Sequence, residues 1–386
     1  MNPSEIYLDN AATTRCDPRV VEAMIQGFQT TYGNPSSIHS QGTFAKEILE
    51  RSRSEIASLL GAFPGELIFT GSGTEANNLA LKGIAEAHRN GGNHLIISSI
   101  EHDCILKTCQ WLESRGFFIT YIPVDHDGLV DLDFLSMAIN KKTILVSVMH
   151  ANNEIGTVEP VNEIGRLCHQ RNVFFHTDAC QSFGKIPVDV NEIHCDLLTI
   201  NAHKIHGPKG VGGLYVRNGI RVAPLLHGGG QESGVRSSTE NIPGILGFSA
   251  AARIAVSEME TEACRMKTLR DHMTGRLTDA IPGIYFNGHP EQRIFNNVNF
   301  CIDRLEGEGI RLQLLLNEKG MFVSTGSACS SNDQGNPSHV LRAIGLNAFQ
   351  SRGAIRVSLG RETSTEEVNR FTEALAELIG HLRPIQ

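Results

Sequence analysis

The chain has 386 residues, 40% of them hydrophobic and 20% charged, with a formal net charge of −8. This is the composition of a soluble globular protein, and the length is too great for one small core, so two domains are expected. The acidic balance, without a basic block, excludes a nucleic-acid groove, and no apolar run approaches the ~18 residues of a membrane span.

Residues 6–14 read as an extended opening segment, and the start of the chain shows no basic or apolar part of a secretory leader. A helix follows with Asp17 as N-cap and Pro18 at its first position, carrying Val20, Val21, Met24, Ile25 and Phe28 on one face. Tyr32 to Ser37 is turn chemistry, and a second amphipathic helix is expected from about Phe44 to Leu60, stopped by Gly61. Strand-like runs then recur near 67–70, 95–99, 118–122, 144–149, 173–177, 196–200 and 212–216, with helical patterns between most of them. Strands that are apolar on both faces and alternate with helices predict an α/β fold with a mostly parallel sheet. A Gly-rich connection spans 217–243, a helical stretch covers about 245–280, and a smaller α+β region follows. Its last helix is signalled by a capping box at Thr363 to Glu366 and by Val368, Phe371, Leu375, Leu378, Ile379 and Leu382 on one face.

In such a sheet ligands gather at the carboxyl ends of the strands, so the residues just past each strand matter most. After 67–70 comes Gly71-Ser-Gly73-Thr74, running into a helix: free backbone N–H groups and a hydroxyl, an anion cradle. Gly71-x-Gly73-x-x-Ala76 also fits a loose dinucleotide fingerprint, which makes a Rossmann oxidoreductase a rival reading. After 95–99 stands Glu101-His102, whose ring could stack on a cofactor. After 144–149, Asn153 could donate to a ring oxygen or a substrate group. The run 173–177 ends in Asp178, a carboxylate that needs a cationic partner, and a protonated pyridine nitrogen is the partner Asp has in pyridoxal phosphate enzymes. Leu197 to Ile200 leads to His203 and Lys204 and then to a Gly/Pro loop, a setting in which a partly desolvated lysine can trap a carbonyl as a Schiff base. The Rossmann reading leaves Asp178, Lys204 and Cys329 without roles.

A second chemical centre lies in the smaller region. Val323 to Gly335 is a run of small polar residues around Cys329, a thiol without bulky neighbours to bury it, as a reactive thiol requires. The other eight of the nine cysteines lie mostly in apolar or helical patterns, none in a Cys-x-x-Cys pair, and read as reduced thiols in a cytoplasm. Arg356 lies within an apolar strand, where its fork would fit a substrate carboxylate.

In these residues the chain resembles the cysteine desulfurases of the NifS/IscS type, in the class V aminotransferase group. The resemblance runs nearly end to end, through Leu8 to Thr14, Gly33 to Ser37, Gly71 to Asn78, Glu101-His102, His150 to Gly156, His176 to Gln181, Ala202 to Gly210, Gly228 to Glu232, Arg236 to Thr239, Ser327 to Ser331, Pro337 to Leu341 and Arg356 to Gly360. It implies fold type I of the pyridoxal phosphate enzymes. A large domain over 15–256 would hold a mostly parallel seven-stranded sheet; a small domain would join 1–14 to 257–386 and carry the catalytic loop at about 323–336. By motif position, Lys204 would bind the cofactor covalently, His102 would stack on its ring and Asp178 would face its nitrogen. Gln181 and Asn153 would contact the ring or the substrate; Gly73, Thr74, Asn201 and His203 would lie on the phosphate side, joined by Thr239 of a neighbouring subunit. Arg356, with Asn34 and Asn153, would hold the carboxylate of L-cysteine, and Cys329 would accept its sulfur as a persulfide. Asn201 stands where relatives commonly carry Ser or Thr, with a modest effect on cofactor affinity expected, and Cys180 is a departure of similar standing. The resemblance further implies a cytoplasmic homodimer handing sulfur to an iron–sulfur scaffold or another acceptor protein, with no resident metal, no nucleic acid and no membrane. Cys329 is the thiol that could ligate a cluster in passing. A selenocysteine lyase, or another class V activity on the same cofactor site, is the nearest enzymatic rival.

Overall fold

The computed structural model describes residues 5–325 and 337–382. Twelve strands are found among them: β1 Ile6–Tyr7, β2 Leu67–Thr70, β3 His94–Ser98, β4 Phe118–Ile122, β5 Thr143–Ser147, β6 Phe174–Asp178, β7 Leu197–Asn201, β8 Gly212–Val216, β9 Ile284–Asn287, β10 Asn297–Ile302, β11 Met321–Phe322 and β12 Ile355–Ser358. Seven of them form one sheet in the order β2-β8-β7-β6-β5-β3-β4, in which β8 alone runs against the rest. Strands β2, β3, β5, β6, β7 and β8 are almost wholly buried, and their residues alternate between two cores. Phe69, Ile96, Val146, Phe175 and Leu198 enter one core, while Ile68, Leu95, Leu145, Phe174 and Leu197 enter the other. This is why the strands read as continuous apolar runs: helices cover both faces. Among the described residues no helix is long and apolar enough to cross a membrane.

A third core gathers Ile6 and Leu8 with Met266, Leu269, Phe300, Val357, Phe371 and Leu375. It packs beside the antiparallel sheet β12-β10-β9, and β1 pairs in parallel with β11. The opening segment therefore reaches across to the C-terminal part of the chain, and Ala11 N–H donates to Ser358 Oγ at 2.8 Å.

Several helix boundaries differ from expectation, each through capping. The second helix is Ser40–Leu59, starting before Phe44 because a His39 ring nitrogen caps it by accepting the Gly42 N–H at 3.2 Å. The capping box of the last helix, Thr365–Leu382, is Ser364 with Glu367, one position beyond the one expected, since Thr363 Oγ1 is engaged with the Gly360 N–H. The stretch near 245–280 is two helices, Ile242–Ser257 and Met259–Ala280, parted at Glu258.

That break points a carboxylate at a charged seam. Glu258 pairs with Arg19 and Arg361, each at 2.7 Å, and Asp17 pairs with the same two arginines at 2.8 and 2.9 Å. Asp17 also caps the helix Pro18–Thr30 by accepting the Arg19 N–H, as its sequence position predicts. The hydrogen bonds from Arg19 hold the Asp17 carboxyl down at about 2, against an ordinary 3.8. A depressed folded-state value contributes stability that is complete above the unfolded value and lost as pH falls through the folded one. Replacing Asp17 with Ala removes cap and ion pairs together and is expected to cost about 2 kcal/mol. With Asn, the amide still caps and only the charge is lost. In denaturant melts the gap between wild type and Asp17→Asn should be constant above pH ~4 and close by pH ~2; a gap that persists unchanged at pH 2 contradicts this assignment.

Candidate active site

At the carboxyl ends of the parallel strands lies a crevice of about 190 Å³, lined by Ser72, Gly73 and Thr74 after β2, His102 after β3, Met149 and Asn153 after β5, Asp178, Cys180 and Gln181 from β6 onward, and Asn201, His203 and Lys204 from β7. Five strand ends thus meet where the fold class requires a ligand site.

The lysine loop is clamped from both sides. Ile205 and Gly207 N–H groups return to the Ala202 carbonyl, and Thr14 holds His203 twice, its N–H and its hydroxyl each reaching the His203 carbonyl at 2.9 Å. Thr14 Oγ1 also accepts the His206 N–H at 2.8 Å, while His206 itself sits at φ +63°, a conformation that costs energy for a side-chain-bearing residue. Lys204 therefore projects from a backbone whose shape is fixed by the opening segment. Among the described residues no hydrogen bond or ion pair holds its amine.

Asp178 closes β6 at 6% exposure. Its two oxygens accept the Asn77 amide at 2.7 Å and the Cys180 N–H at 2.8 Å, and among the described residues no cation lies within ion-pair distance. Burial pushes its pKa up, but the Cys180 donors, the Lys204 charge and the Asn77 amide together hold it below the ordinary value. A buried anion kept ionised mostly by dipoles is completed by one more N–H donor, such as that of a pyridinium.

His102 caps the helix Asp103–Glu113, its Nδ1 accepting the Cys104 N–H at 3.1 Å. That bond leaves the proton on Nε2. Burial first, and then the Lys204 charge, lowers its pKa, so the ring is a neutral imidazole.

The anion cradle is the start of the helix Gly73–Ala87, where Ser72 Oγ accepts the Glu75 N–H. Glu75 is turned back onto the Gly71 N–H and neutralised by Arg236 at 2.7 Å, which leaves the N–H groups at the helix start facing the crevice without a competing charge. Gly73 is required sterically: a Cβ there would come within 2.7 Å of Cys180 Sγ. Nearby, Asn201 Oδ1, Gln181 Oε1 and Asn77 Oδ1 are buried without partners among the described residues. A cradle for an anion, a buried carboxylate awaiting a donor, a free amine and unpaired amide oxygens fit a phosphorylated pyridine aldehyde.

Three sequence-predicted residues stand apart from the crevice lining. Asn34 and Thr239 are exposed in this chain, Asn34 capping its own turn through the Ser36 N–H. Arg356 is buried and pairs with Asp9 at 2.7 Å while donating to the Asn153 carbonyl at 2.9 Å, so it reaches the crevice through Asn153 and keeps an unpaired Nε. Cys329 lies outside the described residues. The flanks of its segment do not: Ser324 pairs through its backbone with Arg356, Ser338 Oγ donates to Glu154 at 2.6 Å, and the His339 ring bonds the Glu101 carbonyl at 2.9 Å. Asn77 and Cys104, absent from the sequence-based set, are both in the lining. Their signal was position: Asn77 lies one helical turn past Gly73, and Cys104 in the first turn after His102. Among the described residues no three His, Cys, Asp or Glu side chains assemble as a metal site.

Known proteins resemble this chain over nearly its whole length. A cysteine desulfurase IscS of Methanosarcina thermophila is 47% identical over 98% of this chain and 93% of its own length. A solved NifS-like protein superposes with a TM-score of 0.92 at 38% identity, covering 98% of this chain and 100% of its own. SspA, solved in complex with cysteine, has a TM-score of 0.81 at 36% identity, covering 92% of this chain and 98% of its own. The class-V aminotransferase model matches residues 6–371, and the chain belongs to that family.

Proposed function

We propose that this protein is a cysteine desulfurase that uses pyridoxal phosphate to convert L-cysteine to L-alanine, leaving the sulfur as a persulfide on Cys329. The observation that carries the reading is Asp178, a buried carboxylate without a cation, sharing one crevice with the free amine of Lys204 and the open helix start at Gly73. Relatives named cysteine desulfurase, and one neighbour solved with cysteine, support the choice of substrate.

The cofactor, when bound, supplies an electron sink for the carbanion at the substrate Cα. Lys204 Nζ would hold the cofactor covalently and, when released, is the base placed to take the Cα proton. Asp178 would accept the pyridine N–H. Gly73, Thr74, Asn201 and His203 would hold the phosphate, with Thr239 proposed to do so from a second subunit. His102 would stack on the ring, and its Nε2 proton can exchange with the substrate thiol. Arg356, with Asn153 and Asn34, is proposed to orient the substrate carboxylate. The Cys329 thiolate would attack the substrate sulfur: an S–S bond forms, the Cβ–S bond breaks with its electron pair left on carbon, one proton is added at Cβ, and the proton taken by Lys204 is returned to Cα, which completes alanine.

A second copy of the chain is the proposed cover for Val21, Ile25, Phe28, Tyr32, Ile38 and Phe44, all exposed apolar side chains on and after the first helix. The persulfide is proposed to pass to an iron–sulfur scaffold or another acceptor protein. Unpaired cysteines, free throughout the described residues, accord with a cytoplasmic setting.

With purified, cofactor-loaded protein and L-cysteine, wild type should yield alanine and a mass increase of one sulfur on the Cys329 peptide. Lys204→Ala should lose both by about 10³-fold or more. Cys329→Ser should keep the lysine-linked absorbance yet form no persulfide, and sulfur transfer at full rate in that variant contradicts the assignment. Gly73→Ala should weaken cofactor binding about tenfold through the clash with Cys180 Sγ, and Gly73→Ala combined with Cys180→Ala should recover most of it; no recovery would place the cause elsewhere.

A further inference from the structure

Lys185 is a buried cation that the chemistry above does not use. It lies in the turn after β6, four residues beyond Gln181, and is 8% exposed. Its Nζ donates to the Gln181 carbonyl at 2.9 Å. Among the described residues no carboxylate comes within ion-pair distance of it. Burying an ammonium against a neutral carbonyl is costly, and a serine or asparagine could tie the same turn at lower cost.

Its surroundings show what the charge faces. Lys185 and Lys204 line a common cavity of about 40 Å³, on which His206, Asn296, Glu262 and Arg361 also border. The carboxylate there is already engaged, Glu262 with Arg265 at 2.9 Å, and the guanidinium of Arg361 faces Asp17 and Glu258. Cys180, His203 and His206 are the other titratable groups that feel Lys185, and none of them is a carboxylate. Lys204 lines both this cavity and the cofactor crevice, whereas Lys185 lines the cavity alone.

We propose that Lys185 is a positioning residue for Lys204: a second amine, buried on the same cavity without a carboxylate, whose charge disfavours another cation beside it and so favours carbonyl capture by Lys204. Its bond to the Gln181 carbonyl also fixes the turn that presents the Gln181 amide to the crevice. The inference rests on the reading of Lys204 as the carbonyl-capturing amine. Burial pushes Lys185 down to about 7, and the Lys204 charge pushes it further the same way.

The test is the pH titration of the lysine-linked cofactor absorbance in the loaded protein. Removing a neighbouring cation raises the proton affinity of the linked nitrogen, so Lys185→Met should move the spectral midpoint upward by about one pH unit. Lys185→Arg, which restores the charge, should return it to the wild-type value or below. An unmoved midpoint in a folded, cofactor-loaded Lys185→Met protein overturns the proposal. If neither variant folds, the wild-type protein decides. The Lys185 ε-carbon NMR shift in lysine-labelled holoenzyme should titrate near 7, and titration at the ordinary lysine value near ~10 overturns the proposal. A wild-type protein with no lysine-linked band, or a band that survives in Lys204→Ala, overturns the reading of Lys204 itself; a wild-type band with an unmoved Lys185→Met midpoint overturns only the role of Lys185.

Discussion

A carboxylate at the end of β6 sets the terms for everything around it. Asp178 is buried in the sheet, and an isolated anion in such a place would normally take up a proton. It stays ionised because the chain spends the Cys180 N–H, the Asn77 amide and the nearby charge of Lys204 on it. Asn77 can reach it only because the helix Gly73–Ala87 starts close against the sheet. That approach in turn requires Gly73, and also Gly212, whose Cβ would come within 2.7 Å of the Ser72 backbone. One buried charge thus accounts for two glycines, an asparagine inside a helix and the position of the anion cradle.

The same site depends on a join between distant parts of the chain. Residues 10–17 leave the C-terminal core at Ser358 and run along the lysine loop, where Thr14 fixes His203 and His206 and the Asp17 N–H takes the His206 carbonyl. Asp17 then enters the four-membered ion network with Arg19, Glu258 and Arg361. Charge at that seam and geometry at Lys204 are therefore carried by adjacent residues, and loosening the seam would disturb the loop before it unfolded the sheet.

Much of this was legible in the sequence because the signals were periodic or steric. Strands buried on both faces show as apolar runs, and the crevice residues fell just past them. What stayed hidden was set by contacts between distant residues. His39 does not read as a cap, and the box at Ser364 differs from one at Thr363 only by the direction of a hydroxyl. The helical pattern near 245–280 carries no Gly or Pro at Glu258 to mark the break, where Glu258 turns toward Arg19 and Arg361. Arg356 was read as free for a carboxylate, whereas Asp9, far away in the chain, already holds one side of its fork. Asn34 and Thr239 are exposed in a single chain, where the family resemblance gives Thr239 its role only from a neighbouring subunit. Nothing in the sequence marks Lys185, since burial without a carboxylate cannot be read from residue type.

The crevice electrostatics also bear on where a nucleophilic thiol can be. Among the described residues two cysteines line it, and neither is suited to act. Burial first, and then the Asp178 charge, pushes Cys104 up to about 12 and raises Cys180 well above its ordinary value. The negative charge that suits a pyridinium thus opposes a thiolate at the same place. Elsewhere in the cores burial does the same to Cys168, Cys195 and Cys301. A thiol that must ionise, attack and then leave with sulfur has to come from a segment outside the sheet and be brought to the crevice. The flanks of residues 326–336 are anchored close by: one is paired with Arg356, the other bonded to Glu154 and Glu101, the chain neighbours of the crevice residues Asn153 and His102. Separating the carbanion chemistry from the sulfur chemistry is therefore a consequence of the charge at Asp178.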